Sequence, residues 1–183
     1  MKALITLALA GLLAAPAYAA QTLNTGKSTL GFTFKQMGVP TEGRFKSFNA
    51  NVAFDAAKPE ATKAEFTVDL ASIDVGSSDG NNAVKGKAFF NTNAGAAKAT
   101  FVAKSVKALG GGKFEARGPL TLKGVSRDIV STFTAKTAGD ETTLEGSFPL
   151  LRLQYKVGDG DWDDTEAIAD QVNVKYKFVL NGK

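Results

Sequence analysis

The densest set of reactive side chains in this 183-residue sequence is DGDWDDTEAIAD, at 159–170. Asp159, Asp161, Asp163 and Asp170 fall at positions 1, 3, 5 and 12 of a calcium-loop spacing, which gathers hard oxygen ligands. Position six, where the sharp turn needs glycine, is Asp164, and the twelfth is Asp instead of the longer bidentate Glu. Those departures favour a solvated acidic loop. Trp162 inside it either plugs the mouth of whatever the fold encloses, or packs on its wall, or touches a ligand. Glu65 and Asp69 have the residue types of a glycosidase pair, but they lie on the polar face of a strand pattern, where charges are solvated. The sequence holds no His and no Cys, which removes Ser-His-Asp and Cys-His catalysis and His-ligated zinc or haem. Catalysis would have to run on carboxylates, Lys or Tyr. The expectation is a protein that is not an enzyme and carries no cofactor or metal.

The elements that must position these residues are strands. Leu30, Phe32 and Phe34 share one face of a first strand; Phe48, Ala50, Val52 and Phe54 share a face of the second. Ala64, Phe66, Val68 and Leu70 alternate with Lys63, Glu65, Thr67 and Asp69, as in a half-buried antiparallel strand. Further rows run through Ala99, Phe101 and Ala103, then Phe114, Ala116, Leu120 and Leu122, then Ile129, Ser131, Phe133 and Ala135. Leu144, Gly146, Phe148 and Leu150 follow, and the closing row is Val172, Val174, Tyr176, Phe178 and Leu180. Gly110-Gly111-Gly112 suits a hairpin turn. About eight short, evenly spaced strands predict an all-β sandwich or barrel, with barrel preferred. One helical segment is expected around 79–90, weakened by Gly80 and Gly86.

Residues 1–19 read as a secretory leader. Lys2 precedes an apolar run from Ala3 to Ala15, and Ala17-Tyr18-Ala19 supplies small residues at the two positions a signal peptidase reads. The run is shorter than the roughly 20 residues a bilayer span needs. Cleavage after Ala19 leaves a single domain, 20–183. Export without cysteine is ordinary in a bacterial periplasm. The net charge of +4 is spread singly rather than as a stripe, so nucleic acid is not expected as a partner.

Several stretches together resemble the YceI-like family: STLGFTFKQMGVPTEGRFKSFNANVAFD, AEFTVDLASIDVG, KAFFN, GPLTLKGVSRDI, and a closing Arg-x-x-Tyr-x-x-Gly at Arg152, Tyr155 and Gly158. The resemblance covers nearly the whole of 20–183. It implies a lipocalin-like eight-stranded antiparallel barrel and a long apolar ligand, a polyisoprenoid, in a tunnel through it. In some members it also implies association with membrane b-type cytochromes and quinone-like isoprenoids. Members often carry His where this chain has Gly26-Lys27, Gln36 and Lys123, and Pro where it has Asp128.

The inward rows suit such a tunnel. Phe32, Phe34, Phe48, Phe66, Phe101, Phe133, Phe148 and Phe178 would supply its walls, and Ala50, Ala64, Ala99, Ala116, Gly118 and Gly146 its low spots. The same large-small alternation also fits the taper of a dry, interlocked barrel. By family match, Arg152 is a candidate for bidentate pairing with a diphosphate head, the alternative being an ion pair with a loop carboxylate. Two readings result: a periplasmic carrier of an isoprenoid or similar amphiphile, with a homodimer covering an exposed ligand end, or a packed module docking on a membrane cytochrome.

Overall fold

A computed structural model describes residues 20–94 and 97–182; residues 1–19, expected to be a leader, lie outside the described residues. Twelve strand segments follow one another: β1 Gln21–Leu23, β2 Thr29–Gln36, β3 Val39–Phe45, β4 Phe48–Ala53, β5 Lys63–Asp69, β6 Ile73–Asp74, β7 Lys98–Val102, β8 Ser105–Gly110, β9 Lys113–Leu122, β10 Val125–Ala138, β11 Glu141–Leu151 and β12 Gln171–Asn181. They occupy eight antiparallel positions around a closed barrel, because four long strands are each broken into two: β1/β2, β3/β4, β5/β6 and β7/β8. Closure comes from β12, which pairs β1 at Leu180 and Asn181 and β2 from Asn173 to Lys177. The expected eight-stranded antiparallel barrel is the fold.

The breaks have local causes. Between β1 and β2 the chain turns outward, and the Ser28 hydroxyl accepts from the Val179 N–H at 2.9 Å in place of a backbone carbonyl. The β3/β4 and β5/β6 breaks face each other. There the Ser72 Oγ accepts from the Ser47 N–H, and Asp69 caps the turn by accepting from the Ala71 N–H. The β7/β8 bend swings its backbone against β9, where a Cβ on Gly118 would lie 2.0 Å from the Val102 carbonyl oxygen. Gly118 is therefore not a low spot of a tunnel, as its inward register suggested; neighbouring backbone fills its space.

The helix, α1 Ser78–Lys85, is shorter than the expected 79–90. Ser77 caps its start by accepting from the Gly80 N–H, and Gly86 ends it by turning extended at ψ 171°. Phe89 and Phe90 follow in a turn. The core has two centres. Leu23, Val52, Phe54, Phe114, Phe133 and Leu180 gather at one end of the barrel, and Leu70, Phe89, Leu120, Leu150, Tyr155 and Val157 at the other.

Candidate functional site

The barrel is not packed solid. It encloses a largely apolar cavity of about 460 Å³ that runs from Phe54 and Val106 near one end to Phe34, Val84, Trp162 and Ile168 at the other. The strand rows position its walls, since alternate side chains of a strand point to the same face. Phe32, Phe34, Phe66, Phe101, Phe133, Phe148 and Phe178 line it from the inward rows, and Arg152 and Trp162, which belong to no row, line it from the mouth. Phe48 does not. It follows the β3/β4 break, packs its ring against Phe178 at 5.7 Å, and borders a second, more open space instead. Of the expected low spots, Ala64, Ala99 and Ala116 line the cavity. Gly146 opens a different space, where a Cβ would stand 2.6 Å from the Tyr176 hydroxyl.

The far end is shut by rings. Phe54 meets Phe114 edge-on at 5.2 Å, and Phe114 stacks on Phe133 at 5.4 Å. The mouth is shut by loops. Residues 163–170 lie along the β2–β3 hairpin, with the Met37 N–H donating to the Ala167 carbonyl and the Ala169 N–H to the Lys35 carbonyl. Met37 and Val39 stand exposed at that hairpin tip, and Trp162, 45% exposed, packs its ring on Phe89 at 5.4 Å.

Arg152 organises this mouth, and its partners differ from both expectations. It is 3% exposed, and its guanidinium donates to the carbonyls of Val157, Gly158, Trp162, Ile168 and Ala169, at 2.6–3.2 Å. A guanidinium has five N–H groups. All are used, so none remains for a diphosphate or for a direct bond to a loop carboxylate. Burial lowers its pKa, against which the charges of Asp170 and Asp163 act to raise it. The Arg-x-x-Tyr-x-x-Gly spacing acquires a physical meaning. The chain turns through Arg152–Tyr155 and Lys156, and Gly158 takes φ +70° with the Arg152 Nη1 at 2.4 Å from where a Cβ would stand. Lys123 adds a second clasp, donating to the Ala88 and Lys156 carbonyls and to Asp159 at 3.4 Å.

The acidic loop does not assemble a cation site: among the described residues no three of its carboxylates converge. Asp159 faces Lys123, Asp164 accepts from the Glu166 N–H, and Asp170 accepts from the Leu153 N–H. Elsewhere, bonds from Lys46, the Gly76 N–H and Arg44 hold the Asp74 carboxyl well below the usual carboxylate range, pinning β6 to β3.

The profile of the YceI-like domain family matches residues 21–180. The chain belongs to the YceI-like family. Among solved structures of similar shape, Burkholderia cenocepacia BcnA superposes with a TM-score of 0.83 at 38% identity, over 86% of this chain and 98% of that one. A Campylobacter jejuni YCEI protein follows at 0.70 and 24%, over 77% of this chain and 84% of that one. A polyisoprenoid binding domain from Saccharophagus degradans follows at 0.69 and 16%, over 90% and 99%; these two show the fold alone. A Shewanella oneidensis UPF0312 protein is 40% identical over 48% of this chain and 45% of its own length. The chain spans about half the length of the curated relatives it matches.

In this YceI-like barrel the cavity also uses residues that were not among the expected ligand contacts. Phe45 and Phe54 belong to strand rows and were legible by alternation. Phe89 and Phe90 were not, because they are adjacent in a turn with no period, although KAFFN marked the segment. Tyr176 lines the cavity with its hydroxyl 2.8 Å from the Ser131 Oγ, and burial pushes its pKa up to about 12.

Proposed function

We propose that this protein binds and carries a long apolar isoprenoid, polyprenyl or quinone-like, inside the barrel, and that it works without catalysing a reaction. The cavity carries this reading: apolar walls of Phe, Leu, Val and Ala surround space that a dry core would have filled. At roughly 0.3 kcal/mol per heavy atom for a large ligand, a chain of about 40 carbons reaches about −12 kcal/mol, or nanomolar affinity. The Saccharophagus neighbour, described as a polyisoprenoid binding domain, supports the reading by analogy of fold. The proposed setting is the periplasm, after cleavage following Ala19, and a second copy of the chain is a suitable cover for a ligand end left outside the barrel. Docking on a membrane b-type cytochrome requires no interior space, so the cavity favours the carrier over a packed docking module.

The test is mass. The full chain is expressed, purified without detergent, and measured by native and denaturing mass spectrometry. A stoichiometric extra mass in the native spectrum, extractable into organic solvent, is expected. A clean apo mass that persists after incubation with prenyl alcohols and quinones would overturn the carrier reading.

A further inference from the structure

Thr41, Thr62, Ser77 and Thr100 line the cavity along with Ser131 and Tyr176, and of these hydroxyls the last two are bonded to each other. Tyr176 on β12 reaches across β11 to Ser131 on β10, and the two oxygens share one hydrogen bond of 2.8 Å. The reach is possible because Gly146 of β11, paired with both Phe133 and Tyr176, has no side chain. A Cβ there would stand 2.6 Å from the phenol oxygen. The ring is held in place by stacking on Phe178 at 4.9 Å, which itself stacks on Phe66 at 4.7 Å. Three positions on three strands thus fix one hydroxyl pair, and Ser131 is 4% exposed.

The hydrogen count decides what the pair can do. Two hydroxyls bring two hydrogens, and one shared bond uses one of them. Neither oxygen has another hydrogen-bond partner among the described residues. One O–H therefore remains unspent at the cavity wall, where an unpaired buried donor is unfavourable. Burial keeps the phenol protonated to about pH 12, so the donor persists throughout the physiological range. Among the described residues the one charged side chain on the lining is Arg152, and all its N–H groups are committed to carbonyls. An anionic head group inside the barrel would meet no free cation, and burying a charge unpaired is prohibitive.

Building on the carrier reading, we infer that Ser131 and Tyr176 form a subsite donating a hydrogen bond to a neutral acceptor on the ligand, a carbonyl oxygen above all. The cavity then selects a carbonyl-bearing isoprenoid over a pure hydrocarbon and keeps charged heads outside.

The full chain, its Tyr176→Phe and Ser131→Ala variants and the double variant are titrated with two probes, a short-tailed ubiquinone and squalene. The carbonyl stretch of bound quinone is followed by infrared difference spectroscopy. Tyr176→Phe should weaken ubiquinone about tenfold, the scale of one neutral hydrogen bond, and leave squalene within about twofold. The carbonyl stretch should lie at lower frequency in the wild type and return toward its free value in the double variant. Equal losses for both probes would reduce the pair to wall packing and overturn the subsite. So would an unchanged ubiquinone affinity with no carbonyl shift. If Tyr176→Phe does not fold, Ser131→Ala and the carbonyl frequency decide the matter. A wild type that binds squalene but shows no quinone shift defeats the subsite alone, whereas a wild type that binds neither probe defeats the carrier reading and the subsite with it.

Discussion

At one end of the barrel Phe54, Phe114 and Phe133 close the interior on each other, with ring centroids 5.2–5.9 Å apart. At the other, Arg152 and Lys123 close it by gathering backbone carbonyls from loops that have no apolar period of their own. The first closure is made of area removed from water and dispersion contacts, which tolerate small shifts but not voids. The second is made of charge-assisted hydrogen bonds, which are directional and leave orphaned buried acceptors when the donor goes. The proposed carrier role would need one end to stay shut and one to admit cargo, and the two chemistries suit those different duties.

The comparison breaks most sharply at the ring end. Phe114→Ala should cost about 4 kcal/mol, the scale of a large core truncation, with ligand release unchanged. Urea unfolding and a dissociation time course would show both; a faster release would mean that the ring end also gates the cavity. Next is Arg152→Met, expected to cost about 3 kcal/mol by orphaning carbonyls of the mouth loop. Hydrogen exchange should rise across 157–169 while β9 and β10 stay protected. Uniform loss of protection would show that the mouth is not a separate unit.

A pH scan sharpens the middle of the cavity. Burial raises the Tyr176 pKa to about 12 in the folded chain, above the ordinary tyrosine value of about 10. The unfolded chain therefore loses this proton first as pH rises. The contribution is fully present below about pH 10 and is lost between 10 and 12, on the order of 2 kcal/mol. Denaturant titrations of wild type and Tyr176→Phe should diverge only in that window, and parallel curves would place the hydroxyl in water. The smallest stability effect is expected at Phe66→Ala, roughly 2 kcal/mol or less, because this ring already borders open space. Its larger signature is a change in the preferred ligand length, read from the mass of the co-purified species; an unchanged mass distribution would take Phe66 off the ligand's path.

Legibility followed the same division. The ring end could be read from the sequence, because Phe54, Phe114 and Phe133 occupy strand rows whose inward side follows from alternation alone. Phe48 misled because it lies just beyond the β3/β4 break, where belonging to a row no longer guarantees a place on the cavity. Arg152 was singled out as a residue but not for its partners, since no periodicity predicts that five carbonyls will converge on one guanidinium. Gly118 and Gly146 showed the inward register of low spots, yet one is filled by a neighbouring backbone and the other by a phenol.

By itself the sequence determined the strands, their turns and the face each strand turns inward, because those follow from local backbone geometry and burial of every second side chain. Only the tertiary structure decided that the barrel keeps a cavity and where its polar contacts fall. Tyr176 and Ser131 are 45 residues apart in the chain, and Lys123 and Ala88 are 35 apart. The first pair meets because β11 lies between β10 and β12 in register, with Gly146 opposite both Phe133 and Tyr176, and the second because the turn after α1 comes against the β9–β10 turn; no local pattern sets either.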